Sequence, residues 1–162
     1  MLNTFFLPSP QIVTTVSLYQ ILIGFFITLI VGLMLQPCII ALRLWLRYRG
    51  VTGKYSLQRI LGDGSTENRG GEIIIKFKWR RGSYAVEALN ADRTPQWEGE
   101  MRLSLDMRNV GSGVFWHVDK AEGVGDQKFR YSPARGEFQV EGVTFKAGDL
   151  NRFFHRWTKK QS

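Results

Sequence analysis

The side chains best placed to do chemistry in this sequence are basic and spaced two apart. Lys76, Lys78 and Arg80 alternate along one run, Arg81 follows at a turn, and Lys128 with Arg130 repeats the pattern. Residues two apart on a strand share a face, so each row is a line of parallel positive charge suited to phosphates. Trp116 and His117 lie within reach in sequence, as does Tyr131, and such rings stack on bases. If the two strands are neighbours, Lys76, Lys78, Arg80, Arg81, Lys128 and Arg130 form one phosphate patch with Trp116 and His117 beside it. The other reading is that these are edge-strand cations that keep sheets from pairing. Gly111, Gly113, Gly123 and Gly125 would offer backbone N–H groups to an anion, or simply make turns.

Catalytic sets are missing. His117 and His155 have no metal-ligand partner at motif spacing. The one cysteine, Cys38, ends the apolar stretch, which excludes a disulfide framework and a cysteine zinc site. The glycine-rich loop 62–71 lacks the Gly-Lys-Ser/Thr of a phosphate-binding loop. Glu98 and Glu100 share a face with Arg102 and read as a solvated row. The expectation is a protein that is not an enzyme, with no cofactor and no metal.

What must position the basic rows is a chain of two unlike parts. No Asp, Glu, Lys, Arg or His occurs in residues 1–42. Within this stretch Gln20, Gly24, Thr28, Gly32 and Gln36 recur every fourth residue, one face of a helix. At about 1.5 Å per residue the stripe is about 24 Å long, close to the depth of a bilayer core. Small residues at this spacing let helix backbones approach, and Gln hydrogen-bonds across helices in lipid. Self-association, with or without a pore, is one reading; a plain anchor is the other. Because a four-residue stripe drifts around a straight helix, it makes an imperfect seam.

The expected division is an interfacial or extracytoplasmic N-terminus over 1–17, with Phe5, Phe6 and Leu7 at the interface and Pro8 and Pro10 outside the helix. A transmembrane helix with a basic end follows over 18–46, its apolar span being 18–42. A linker over 47–56 and a cytosolic β-rich domain over 57–162 complete the chain. Of the net charge of +8, Arg43, Arg47 and Arg49 supply three, and residues 54–162 the rest. Positive charge on the C-terminal flank alone places that side in the cytoplasm, in a single-pass inner-membrane topology with the N-terminus out. Trp45 and Tyr48 fit the headgroup level. The surplus charge favours anionic partners: nucleotides, nucleic acid or the membrane leaflet itself.

Beyond the linker the hydrophobic period becomes two. Strands are expected at 55–61, 72–80, 84–89, 96–108, 114–118, 128–131, 137–140 and 143–145, a small antiparallel barrel or sandwich of about seven or eight strands. Leu150, Phe153, Phe154 and Trp157 stand at i, i+3, i+4 and i+7 after Asp149, the pattern of a short C-terminal helix; a last strand is the alternative.

This plan resembles the small membrane effectors of prokaryotic antiviral signalling: the CRISPR-associated membrane proteins of type III systems, and CBASS effectors that join membrane helices to a β-barrel sensor. The resemblance lies in architecture, the span 18–42 and the strand-rich 72–145, with Trp97-Glu-Gly-Glu-Met101 and Glu122-Gly-Val-Gly-Asp126 as suggestive stretches. No functional residue is carried over from it. It implies a homo-oligomer that binds a cyclic oligonucleotide such as cyclic oligoadenylate and perturbs the membrane through its helices. The runner-up is an anchored adaptor that holds a protein partner at a sheet edge or at a Phe153, Phe154 and Trp157 face.

Overall fold

The computed structural model describes residues 10–118, 123–146 and 149–160. The chain divides into two compact units, Met1–Pro37 and Cys38–Ser162.

The first unit is helical from Pro10. Helix α1 runs over Pro10–Tyr48, 39 residues, and Leu18–Tyr48 is long and apolar enough to cross a membrane. Pro10 opens the helix, where a missing N–H costs nothing. Residues 10–17, expected outside the span, are therefore helical, and the expectation for Phe5, Phe6, Leu7 and Pro8 lies outside the described residues. Pro37 sits inside the helix without ending it. The Thr28 hydroxyl donates to the Gly24 carbonyl at 2.8 Å. A Cβ at Gly24 or Gly32 would meet nothing within 4 Å, so the stripe is open surface.

The second unit is a closed barrel of eight antiparallel strands in sequence order. They are β1 (Gly53–Ile60), β2 (Thr66–Lys78), β3 (Ser83–Leu89), β4 (Pro95–Leu103), β5 (Val110–His117), β6 (Val124–Ser132), β7 (Glu137–Lys146) and β8 (Asp149–Lys159). Period-two patterning makes the wall. On β4, Trp97, Gly99, Met101 and Leu103 face the interior, while Glu98 and Arg102 face solvent. On β6, Gly125, Gln127, Phe129 and Tyr131 are buried between exposed Val124, Asp126, Lys128 and Arg130. The core centres on the fully buried Trp157, whose ring lies 5.5 Å from Phe129, 5.9 Å from Phe138 and 6.0 Å from Trp97.

The barrel expectation holds, with four corrections. The tail expected as a short helix is β8, and its pairing with β1, Tyr55 opposite Lys159 through Ile60 opposite Phe154, closes the barrel. Its apolar residues mimic a helical period because Phe153 and Trp157 point inward while Leu150 and Phe154 point out. Second, 137–140 and 143–145 are one strand, β7, which passes through Gly142. A Cβ there would lie 2.3 Å from the Phe153 ring, so the glycine makes room for that ring. Third, β4 ends at Leu103, and the residues up to Asn109 form a turn; on the other side, most of the loop expected at 62–71 belongs to β2. Fourth, the linker expected over 47–56 shrinks to 49–52 between α1 and β1, and the unit containing the barrel starts at Cys38.

Candidate functional site

The two ends of the barrel are built differently. At one end, Ala41, Leu44 and Tyr48 of α1 and the following Val51 are buried against the strands. A helix terminus leaves carbonyls without intrahelical partners, and here a set of tyrosines meets them. Tyr55 donates to the Val51 carbonyl at 2.6 Å, Tyr84 to Tyr48 at 3.5 Å, and Tyr131 to Gly50 at 3.4 Å. Lys159 Nζ also donates to Gly50, at 2.5 Å. Tyr48 works in the other direction: its hydroxyl donates to the Ser104 carbonyl at 2.7 Å and accepts the Asn109 N–H at 3.2 Å. Arg47 donates to the Leu105 carbonyl, and the Trp45 and Trp79 rings stand 5.4 Å apart. This end is sealed by the chain itself.

The far end holds a cavity of about 360 Å³. Its aromatic walls are Trp97, Phe115 and Phe153; its polar lining includes Arg59, Arg152, Gln127, His117 and His155. Strand alternation points them inward, except Arg152, which shares the outer face of β8 with Leu150 and Phe154 and only borders the cavity. Phe115 and His117 are two apart on β5, and Phe153 and His155 two apart on β8, so each pair shares the inner face. The His155 ring lies 4.7 Å from Phe153, and His117 lies 5.9 Å from Phe115. Arg59 is the cross-strand partner of His155, and Trp97 of His117. Gln127, 3% exposed, sits between the backbones of Gly113 and Gly142. Flat aromatic walls with the Arg59 guanidinium and two imidazoles suit a planar ring that carries negative charge.

The basic rows are placed differently from what their sequence spacing suggested. β2 and β6 are separated by three strands in either direction around the barrel, so Lys76 and Lys78 lie on the opposite wall from Lys128 and Arg130. They form no common patch in one copy of the chain. A closed barrel also has no edge, which removes the edge-strand reading of these cations. Arg80 and Arg81 stand in a 3-10 turn, Trp79–Arg81, at the sealed end. Trp116 and His117 are adjacent in sequence and so face opposite sides, Trp116 outward and His117 into the cavity.

An outer groove does bring Arg81, Trp116 and Lys128 together, with Glu100 and Asp126. Arg81 and Arg102 pair with Glu100 at 3.0 and 3.5 Å. Burial works to raise the Glu100 carboxyl, but hydrogen bonds from Ser83 and Arg81 and the nearby charges hold it below its ordinary value. That groove is therefore nearly neutralised by its own acids. Arg59, Gln127 and His155 line the cavity although their sequence spacing does not mark them as candidate site residues. The sequence does carry a trace of them: Phe115-Trp-His117 and Phe153-Phe-His155 are the same aromatic-aromatic-histidine pattern on two strands. Among the described residues no group of three or more His, Cys, Asp or Glu could hold a metal ion.

No protein-family model matches this chain, and no curated protein matches it. Among solved structures it is similar to one described as "Structure of EF1p2_mFAP2b bound to DFHBI", at 10% identity and a TM-score of 0.48, over 70% of this chain and 97% of that one.

Proposed function

We propose that this protein is a membrane-anchored receptor whose barrel takes a planar, anionic ligand of the nucleotide class into its far mouth and acts through the helix that seals the other end. The observation that carries this reading is the aromatic and basic cavity, Trp97, Phe115 and Phe153 with Arg59 and His155. Its volume is at the small end of ligand pockets, about 300–1,000 Å³. That suits one base with its phosphate. A cyclic oligonucleotide, the ligand class of the antiviral effectors this chain resembles, would insert one nucleotide per barrel and lie across several mouths. Arg43, Arg47 and Arg49 beside the apolar span favour a single pass of the inner membrane with the barrel in the cytoplasm. The ligand would act by preferring one arrangement of the assembled helices, along the stripe Gln20, Gly24, Thr28, Gly32 and Gln36.

The test uses the full chain in lipid nanodiscs, titrated with AMP, cyclic AMP and cyclic oligoadenylates by calorimetry. Arg59→Ala combined with His155→Ala is expected to weaken binding of the active ligand about 10- to 100-fold, as loss of a charge-assisted contact does. Lys76→Glu with Lys78→Glu on the outer wall is expected to leave affinity unchanged. Loss of binding in the outer-wall variant alone would return the site to the basic rows, and no binding of any of these ligands would end the nucleotide reading.

The oligomer this mechanism needs has a surface available on the barrel wall. Trp116, Val124, Phe145 and Leu150 are successive cross-strand partners over β5 to β8, and all are exposed. In the adjoining row Asp126 and Arg152 flank Val143. Facing two such walls about a two-fold axis along β7 sets Asp126 of each copy opposite Arg152 of the other, and Phe145 opposite itself. Phe145→Cys in a Cys38→Ser background is expected to give a disulfide-linked dimer on mild oxidation, while Glu87→Cys on β3 gives none. The adaptor reading would seat a different protein on the same row, since no sheet edge exists and Phe153 and Trp157 point inward. A monomeric, uncrosslinked Phe145→Cys protein would favour it.

A further inference from the structure

We infer that the sealed end of the barrel is itself a binding surface for the anionic leaflet of a bilayer. Turns far apart in sequence converge there around the end of α1, and their cations greatly outnumber their acids. The 3-10 turn after β2 carries Arg80 and Arg81, the latter paired with Glu100; the β4–β5 turn carries Arg108 against Asp106; and the β6–β7 turn carries Arg135, next to Glu137, which pairs with Arg156. Arg49 lies in the connection to β1, and Lys54 and Lys78 are exposed at the neighbouring strand ends. The described turns at the far end differ: 61–65 and 90–94 hold Asp63 and Asp92 against Arg93. Each of those aspartates is kept below its ordinary pKa, chiefly by a side-chain hydrogen bond, from Ser65 and Thr94 respectively.

The collar also presents apolar groups suited to a headgroup layer. Trp79 is 51% exposed and Met107 64% exposed. Both are held in place by the fold. Gly82, at φ +56°, turns the Trp79–Arg81 segment so closely onto the helix that its Cβ position lies 3.5 Å from Leu44 and 3.8 Å from Ala41. Ser104 Oγ accepts the N–H groups of Asp106 and Met107 at 3.2 and 2.9 Å, and this projects Met107 and Arg108 from the barrel end. Trp rings sit at headgroup depth, and clustered Lys and Arg are drawn to an anionic leaflet within about a Debye length. The apolar span is continuous in sequence with this end, since Leu42 precedes Arg43 directly. Lys78 and Arg80, part of a basic row in the sequence, thus face a different partner: the phosphodiesters of acidic lipids.

The experiment places a spin label at Met107→Cys in a Cys38→Ser background of the full chain. The protein is reconstituted into vesicles of phosphatidylcholine alone, or of phosphatidylcholine with a quarter phosphatidylglycerol. Accessibility of the label to a water-soluble nickel relaxant is expected to fall about threefold in the acidic vesicles and to recover in high salt. A label at Thr94→Cys is expected not to change. Neutralising the collar with Arg80→Gln, Arg108→Gln and Arg135→Gln, side chains exposed enough to leave the fold intact by circular dichroism, should abolish the difference at position 107. Equal accessibility in the two lipids, an equal response at positions 94 and 107, or a fall that survives the three substitutions would each overturn the inference.

Discussion

Trp157→Ala is expected to lower the unfolding free energy of the barrel by about 3–5 kcal/mol, the range for deleting a buried aromatic side chain. Trp157 is wholly buried and packs on Trp97, Phe129 and Phe138, which come from three other strands. Truncation leaves a cavity where all three lose contact, and the surrounding wall is closed by hydrogen bonds that resist collapse. Domains of this size are stable by about 5–15 kcal/mol in all, so the variant should be near its threshold for folding. Urea unfolding followed by circular dichroism measures the change. Trp157→Phe should cost much less. The indole N–H of Trp157 has no acceptor among the described residues, so phenylalanine removes a buried donor along with part of the ring. A Trp157→Ala protein within about 1 kcal/mol of the parent would contradict the placement of this residue at the barrel centre. It would reopen the helical reading of the tail.

The second large effect is at the sealed end. Tyr48→Phe with Tyr55→Phe is expected to cost about 3–9 kcal/mol together, at about 1–3 kcal/mol for each of the three polar groups left unpaired. The first removes the partner of the Ser104 carbonyl and of the Asn109 N–H; the second removes the donor to Val51. Apolar area is almost unchanged, so a loss of this size isolates the hydrogen bonds. Alkali tests the same contacts without mutation. Burial, and then the neighbouring tyrosines, push the phenols of Tyr55 and Tyr84 above their ordinary value of 10.0, and burial raises Tyr131 as well. With folded values above unfolded ones, their stabilisation is complete below about pH 10 and falls as pH rises beyond it. The urea midpoint should therefore drop between pH 9 and 11, and by less in the double variant, which has lost one of the three shifted phenols. An unchanged midpoint across that range would mean the phenols do not hold the helix end.

The proposed mechanism runs through this junction, because an effect of a ligand at the mouth would have to cross the barrel to reach α1. The sealed end has no slack that would absorb it: only 49–52 separate helix from strand, and Gly50 and Val51 in that connection are both hydrogen-bonded to the wall. The expected 47–56 linker would have decoupled the two.

The sequence alone determined the character of each part. The absence of charge through Leu42 and the four-residue stripe specify a long apolar helix, and period-two alternation at β2, β4 and β6 specifies walls with one buried face. These signals are local, and the side-chain period of a strand or helix expresses them within a few residues. The tertiary structure decided everything that depended on which strand lies beside which. Lys76 and Lys128 carry the same local pattern, yet strand order puts them on opposite walls. Leu150, Phe153, Phe154 and Trp157 fit a helix as well as a strand, and pairing with β1 settles it because closure satisfies two rows of backbone groups at once. His117 and His155 are 38 positions apart in the numbering, and only closure brings β8 round so that both line one cavity with Arg59. Period tells which way a side chain points; a shared site also requires knowing what it points at, and in a barrel that is set by pairings far apart along the chain.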